Sequence, residues 1–302
     1  MNSDSKLTLS GVIPPMITPL TPDGQIDGEG VDRLVHHLLV NGCGGVFVLG
    51  SSGEGPWLSA AQRETLIGRT VQAVAGRVPV LVGALEPSTV RTLEVLPMIE
   101  DLGADAVVVA SPYYFGADES AQLWHFERVA QASKLPVVLY NIPPTTHNPV
   151  AVRTIQQALQ FDPIIALKDS AGNMDDFKAF LALREQRPEF RVFQGAEKLS
   201  NESLLAGADG LVPGLGNLVP KGFVQLVEAV RAGNEAEARA IQAQIDELWT
   251  LHGYDYWLPC LKYAASLCGF GSGATIGHRV HLTDEGRAAI QSLVNAAAPV
   301  GD

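Results

Sequence analysis

The chain has 302 residues, 46% of them apolar and 18% charged, which provides for a large core and excludes a disordered chain. Its 21 lysines and arginines against 33 aspartates and glutamates give a net charge of −12. That field repels nucleic acid and anionic lipid, so an anionic substrate needs a local device to hold it.

Residues 1–11 are polar and lack the apolar core of an export signal, and no apolar run approaches the roughly 18 residues of a membrane span. These features point to a soluble cytoplasmic protein with neither nucleic acid nor membrane as partner. Strand-length apolar runs follow at 12–17, 46–49, 78–82, 106–110, 136–140, 164–167, 191–194 and 210–213. Most are continuous rather than alternating, as in parallel strands buried on both faces. Between them lie helical patterns. Val31, Leu34, Val35, Leu38 and Leu39 form one stripe, with His36 and His37 off it and facing solvent. Ser59 with Gln62 reads as a capping box opening a helix whose stripe is Leu66, Ile67, Thr70, Val71 and Val74. Asn41-Gly42, Leu102-Gly103-Ala104-Asp105 and Ala206-Gly207-Ala208-Asp209 each end a helix and lead into a strand, with glycine as the cap.

Eight strand–helix units fit an α/β (β/α)8 barrel over residues 1–222, with a doubly wound sheet as the rival. Beyond it, helical patterns at 223–231, 235–249, 256–267 and 284–297 predict a C-terminal appendage spanning 223–302, packed on the barrel or on a neighbouring subunit.

In such a barrel the site lies at the C-terminal strand ends. Strand two ends in Gly50-Ser51-Ser52-Gly53-Glu54, where glycine-flanked hydroxyls let backbone N–H groups converge on a carboxylate; an ordinary tight turn is the alternative. No Lys-Ser/Thr follows, which excludes a phosphate P-loop. Strand four ends in Ser111-Pro112-Tyr113-Tyr114, and strand five in Tyr140-Asn141-Ile142-Pro143. Strand six continues into Lys168-Asp169-Ser170. A lysine desolvated at that edge offers the neutral amine that attacks a ketone to form an imine, unless it merely reaches solvent or pairs with Asp169. The cysteines Cys43, Cys260 and Cys268 lack CxxC spacing, and the seven histidines form no HxH or HxxxH pair, so neither a metal nor a cofactor is implied.

These strand ends, in this order and spacing, resemble the dihydrodipicolinate synthase/N-acetylneuraminate lyase family of class I, pyruvate-handling aldolases. Gly50-Ser51-Ser52-Gly53-Glu54, Tyr140-Asn141-Ile142-Pro143 and Lys168-Asp169-Ser170-Ala171-Gly172 match its three motifs. The resemblance implies that Lys168 is the Schiff-base residue, that Ser51 and Ser52 hold the pyruvate carboxylate, and that Tyr140 transfers the proton. It further implies that Tyr114 crosses from a neighbouring subunit to complete a Ser52–Tyr140–Tyr114 relay, that Val212 backs the pyruvate, and that the protein is a homo-oligomer, a dimer of dimers. An ordinary phenol is a poor base at neutral pH, which makes a relay chemically reasonable.

One position departs from the synthase pattern. Thr145 stands where the synthases carry an arginine for the aldehyde's carboxylate, and a hydroxyl cannot replace a bidentate cation. Around the acceptor the nearest residues are Thr145, Thr146, His147 and Trp57, and Arg279 is an alternative source of charge. The expected activity is therefore cleavage or condensation of a hydroxylated 2-oxo acid with pyruvate as the ketone component. The alternative is 4-hydroxy-tetrahydrodipicolinate synthase, which joins pyruvate to aspartate semialdehyde. A silent binding protein on the same barrel is a third possibility, against which Lys168 and Tyr140 both speak.

Overall fold

Eight parallel strands alternate with helices in the computed structural model, which describes residues 7–278 and 280–297. They are β1 (Gly11–Val12), β2 (Val46–Val48), β3 (Val80–Gly83), β4 (Ala106–Ala110), β5 (Val137–Asn141), β6 (Ile164–Asp169), β7 (Arg191–Gln194) and β8 (Gly210–Leu211). Neighbours pair in chain order from β2 to β8, and β1 pairs with β8. A parallel bridge between Pro15 and Phe47 joins the remaining edges, so the sheet closes into the expected (β/α)8 barrel. β1 is shorter than its apolar run because Pro14 and Pro15 have no amide to donate. The ladder nonetheless continues, with Phe47 N donating to Pro14 O at 3.0 Å and Met16 N to Phe47 O at 2.8 Å.

The continuous apolar strands fill two separate layers. Phe47, Leu81, Val108, Val138, Ala166 and Phe193 meet inside the barrel. Their sequence neighbours, such as Val46, Val48, Val107, Val109, Leu167 and Val192, pack outward under the helices. Alternation of side chains across a strand buries both sets, because each face meets a layer.

The helices begin and end on the signals in the sequence. Ser59 and Gln62 form the reciprocal capping box of helix Ala60–Val74. Gly42, Gly103 and Gly207 adopt φ of 82°, 84° and 99°, the left-handed geometry of a helix C-cap. The aspartate in each Gly-Ala-Asp sequence has a further task. Val80 N donates to Asp105 Oδ2 at 2.8 Å and Val192 N to Asp209 Oδ2 at 2.8 Å, so each carboxylate holds the preceding strand. In helix Gly28–Val40 the residues Val31, Leu34, Val35 and Leu38 are buried. His36 faces solvent as expected, but His37 is half-buried with its ring centroid 5.1 Å from that of Phe270. The C-terminal segment covers the flank of His37, which local periodicity does not register.

Four C-terminal helices follow, Pro220–Arg231, Glu235–Trp249, Trp257–Leu267 and Asp284–Ala297. The first opens with proline at its first position, earlier than residue 223, and packs on β1. Among the described residues no helix is long and apolar enough to cross a membrane.

Candidate active site

β5 and β6 run in register, with Tyr140 opposite Lys168 and Asn141 opposite Asp169. Successive strand residues point to opposite faces, so Tyr140 and Lys168 turn into the barrel while Asn141 and Asp169 turn out. Lys168 is 4% exposed and Tyr140 3%. The Lys168 Nζ lies 4.1 Å from the Tyr140 ring centroid and 5.1 Å from that of Phe47, over the apolar interior. Pairing of Lys168 with Asp169 is thereby excluded. A Cβ on Gly195, at the end of β7, would stand 3.0 Å from Lys168 Cε and 2.1 Å from Ser170 Oγ, so only glycine leaves the lysine its path.

Outside the barrel, Asn141 Nδ2 donates to Asp169 Oδ1 at 2.7 Å, and Val150 N donates to Asn141 Oδ1 at 3.1 Å. The second residues of the Tyr-Asn and Lys-Asp pairs thus link the two strand ends. Burial pushes the Asp169 carboxyl up to about 6, opposed by the hydrogen bond from Asn141 and by the Ala171 amide.

The turn after β2 is held from its carbonyl side. Gly53 N and Gly55 N both donate to Gly50 O, at 3.1 and 3.2 Å, and Glu54 N donates to Ser51 O at 3.2 Å. Thr18 Oγ1 donates to Gly53 O at 2.5 Å. The amides of Ser51 and Ser52 donate to no backbone carbonyl among the described residues, as an anion cradle requires. Ser52 is buried, and Val212 is buried in the barrel interior with Phe193 and Tyr140.

Two site residues escaped the sequence reading. Glu197 follows the end of β7, and its Oε1 accepts from Leu215 N at 2.5 Å. Burial pushes its carboxyl up to about 7, opposed by the Leu215 amide and by the charge of Lys168. Gly214 lies between it and the cradle: a Cβ there would be 3.5 Å from Ser52 Oγ and 3.6 Å from Glu197 Oε1. Glu197 lies just beyond the C-terminal end of strand seven, at the same strand-end edge as Lys168 and Tyr140. Lys262, on helix Trp257–Leu267, forms a fully buried ion pair with Glu54. Burial pushes the Lys262 amine down and Glu54 pulls it back. Nothing local distinguishes that lysine from a solvated one.

Other expected residues stand apart from this group. Thr145 is exposed on the short helix Pro143–Thr146. Thr146 is buried, and its hydroxyl donates to Ile142 O at 3.1 Å, closing its own turn. His147 is exposed, with φ 57°. Trp57 is half-exposed and edge-on to His278, ring centroids 4.7 Å apart. Tyr114 is 84% exposed, has φ 79° and sits edge-on to the Phe115 ring, so within one chain it does not join the buried tyrosine and lysine. Arg279 lies outside the described residues.

The dihydrodipicolinate synthetase family model matches residues 8–297. A 4-hydroxy-tetrahydrodipicolinate synthase of Xanthomonas campestris is 33% identical over 88% of each chain. The putative 2-dehydro-3-deoxy-D-gluconate aldolase YagE of Escherichia coli is 32% identical over 86% of this chain and 87% of its own. The crystal structure of YagE in complex with pyruvate superposes with a TM-score of 0.90 at 30% identity, covering 95% of this chain and 98% of that one. A dihydrodipicolinate synthase structure from Thermotoga maritima gives 0.92 at 28% identity, covering 96% and 99%. Likeness of this extent, in sequence and in backbone, makes the chain a member of the dihydrodipicolinate synthetase family.

Proposed function

We propose that the protein is a Schiff-base-forming lyase that cleaves or condenses a hydroxylated 2-oxo acid, with pyruvate as the ketone component. The observation that carries this reading is Lys168, a buried lysine over an apolar floor with its Nζ 4.1 Å from the Tyr140 ring centroid. In condensation, the Lys168 amine adds to C2 of pyruvate and water leaves, giving a protonated imine. Loss of a C3 proton yields the enamine, whose C3 bonds to the aldehyde carbon. Tyr140 gives its proton to the aldehyde oxygen, and water then releases the product from Lys168. Cleavage runs the same steps backwards. Ser51 and Ser52 hold the carboxylate, Val212 backs the methyl group, and Tyr114 reaches Tyr140 from a second subunit. That last role is supported by its exposure in one chain.

Acceptor choice is set by what faces it. Thr145, exposed on its short helix, brings no charge, and Glu197 presents a carboxyl toward the cradle. An acceptor carboxylate would be repelled by Glu197 once ionised, whereas a hydroxylated aldehyde could donate a hydrogen bond to it. This favours the aldolase reading over the synthase. On this reading residues 1–222 form the barrel that carries the chemistry, residues 223–302 form an appendage set on the barrel or on a neighbouring subunit, and the working form is a cytoplasmic homotetramer. Borohydride reduction in the presence of pyruvate tests the core of the proposal. A reduced adduct on the Lys168 peptide is expected, and its absence would refute imine chemistry.

A further inference from the structure

The carboxylate cradle is anchored from the far end of the chain. Glu54, the last residue of the Gly50-Ser51-Ser52-Gly53-Glu54 turn, is 1% exposed, and Lys262 is likewise 1% exposed. Glu54 Oε1 takes Lys262 Nζ, while Oε2 accepts from Ile276 N at 2.6 Å and more distantly from Gly277 N at 3.4 Å. Gly277 is pressed on the same region, since a Cβ there would stand 2.2 Å from the Trp57 ring. All of these partners belong to the C-terminal appendage.

The anchor acts on the cradle through peptide planes. In a trans peptide the carbonyl of one residue and the amide of the next point in opposite directions within one rigid plane. Glu54 N–H holds Ser51 O and so aims the Ser52 amide the other way. Gly53 and Gly55 N–H hold Gly50 O and aim the Ser51 amide. Every one of those donors is on or beside Glu54. Where its carboxylate is fixed, the two open amides are fixed.

Taking the Schiff-base reading above, we propose that the Glu54–Lys262 pair is a positioning device for the pyruvate carboxylate, which makes the C-terminal appendage a working part of the active site. The pair touches no substrate. It sets the direction of the two amides that do.

Removing one partner alone would leave a buried unpaired charge, which destabilises the fold for reasons unconnected with pyruvate, whereas replacing both removes that penalty. The test is therefore the double variant Glu54→Gln/Lys262→Met, compared with wild type for melting temperature, pyruvate half-saturation of borohydride trapping, and steady-state constants for pyruvate and the aldehyde. The expected result is a folded protein still trapped at saturating pyruvate. Its pyruvate half-saturation should rise about tenfold or more, with kcat and the aldehyde KM within about twofold of wild type. A folded double variant with wild-type pyruvate half-saturation overturns the proposal and leaves the Schiff-base reading intact, as does an equal loss in all three constants. Failure of the wild-type enzyme to trap pyruvate overturns both. If the double variant does not fold, Glu54→Gln carries the same expectation and the same grounds for rejection. It keeps the side chain's shape and an acceptor for Ile276 N, beside a lysine free to shed its proton.

Discussion

Tyr140 and Lys168 occupy one rung of the β5–β6 ladder, with the lysine nitrogen 4.1 Å from the phenol ring centroid. A ring face at that distance stabilises a cation by about 0.5–2 kcal/mol, and so favours a protonated imine as much as a protonated amine. Tyr140 thus lies as a floor beneath the lysine nitrogen, beside the proton transfer proposed for its hydroxyl. Lys168→Ala should abolish the borohydride adduct and lower turnover by at least about a thousandfold, equivalent to about 4 kcal/mol, without a loss of melting temperature. Lys168→Arg should fail as well, because a guanidinium does not condense. Appreciable turnover in either variant would end the class I mechanism.

Gly195 bounds the path of the lysine. A methyl group there would meet Lys168 Cε at 3.0 Å and Ser170 Oγ at 2.1 Å, and misplacement of a reacting group by about 1 Å costs roughly a hundredfold. Gly195→Ala should therefore slow imine formation by about that factor while the circular dichroism spectrum is retained. Rapid-mixing trapping with pyruvate measures it, and an unchanged rate would mean that the lysine reaches its position by another route.

Asp169 makes stability depend on pH. Its folded-state value is raised from 3.8 to about 6 by burial, so the stability it contributes is complete below about 3.8 and is lost as pH rises through about 6. Asp169→Asn keeps an acceptor for Asn141 and removes the titration. Denaturant unfolding across this range should show the variant gaining on wild type between about pH 4 and 6, by up to about 3 kcal/mol. Parallel curves would show that Asp169 does not titrate in that range.

Acceptor preference should follow the charge on Glu197. With pyruvate as partner, kcat/KM for glyceraldehyde should exceed that for aspartate semialdehyde, and the ratio should widen as pH rises through about 7, where Glu197 ionises. Glu197→Gln should flatten that pH dependence. A preference for aspartate semialdehyde on the order of tenfold, about 1.4 kcal/mol in transition-state binding, would restore the synthase reading.

Tyr114 supplies a test of assembly. Tyr114→Phe and Lys168→Ala subunits should each be nearly inactive alone, and mixed oligomers should recover part of the activity if the tyrosine acts across an interface. No recovery in verified mixed oligomers would remove Tyr114 from the neighbouring site.

The barrel was legible because each of its signals is local. Ser59 with Gln62, the glycines at 42, 103 and 207, and the two-faced apolar strands need only their own neighbourhoods. Lys168 and Tyr140 were legible for the same reason, as polar residues ending apolar strands. Lys262 was not, because burial of a lysine is decided by a carboxylate far away in sequence. The partner of Thr146 was hidden for a related reason: its side chain competes for its own backbone, and only the turn geometry decides which partner wins. The link between Asn141 and Asp169 falls between these cases, since both residues were in view as motif neighbours but their common outward face emerges only with the strand register.

The pair that anchors the cradle also orders events during synthesis. Glu54 and Lys262 are separated by 208 residues, so at about 5–20 residues per second the ribosome makes the lysine some 10–40 s after the glutamate. All eight strands exist by then, each with its neighbours. The turn proposed to grip pyruvate still carries an acid whose counter-charge has not been made, so that acid stays in water. A nascent chain stopped before residue 257 has every motif residue but lacks both Lys262 and the Ile276 amide that hold Glu54 in the finished fold.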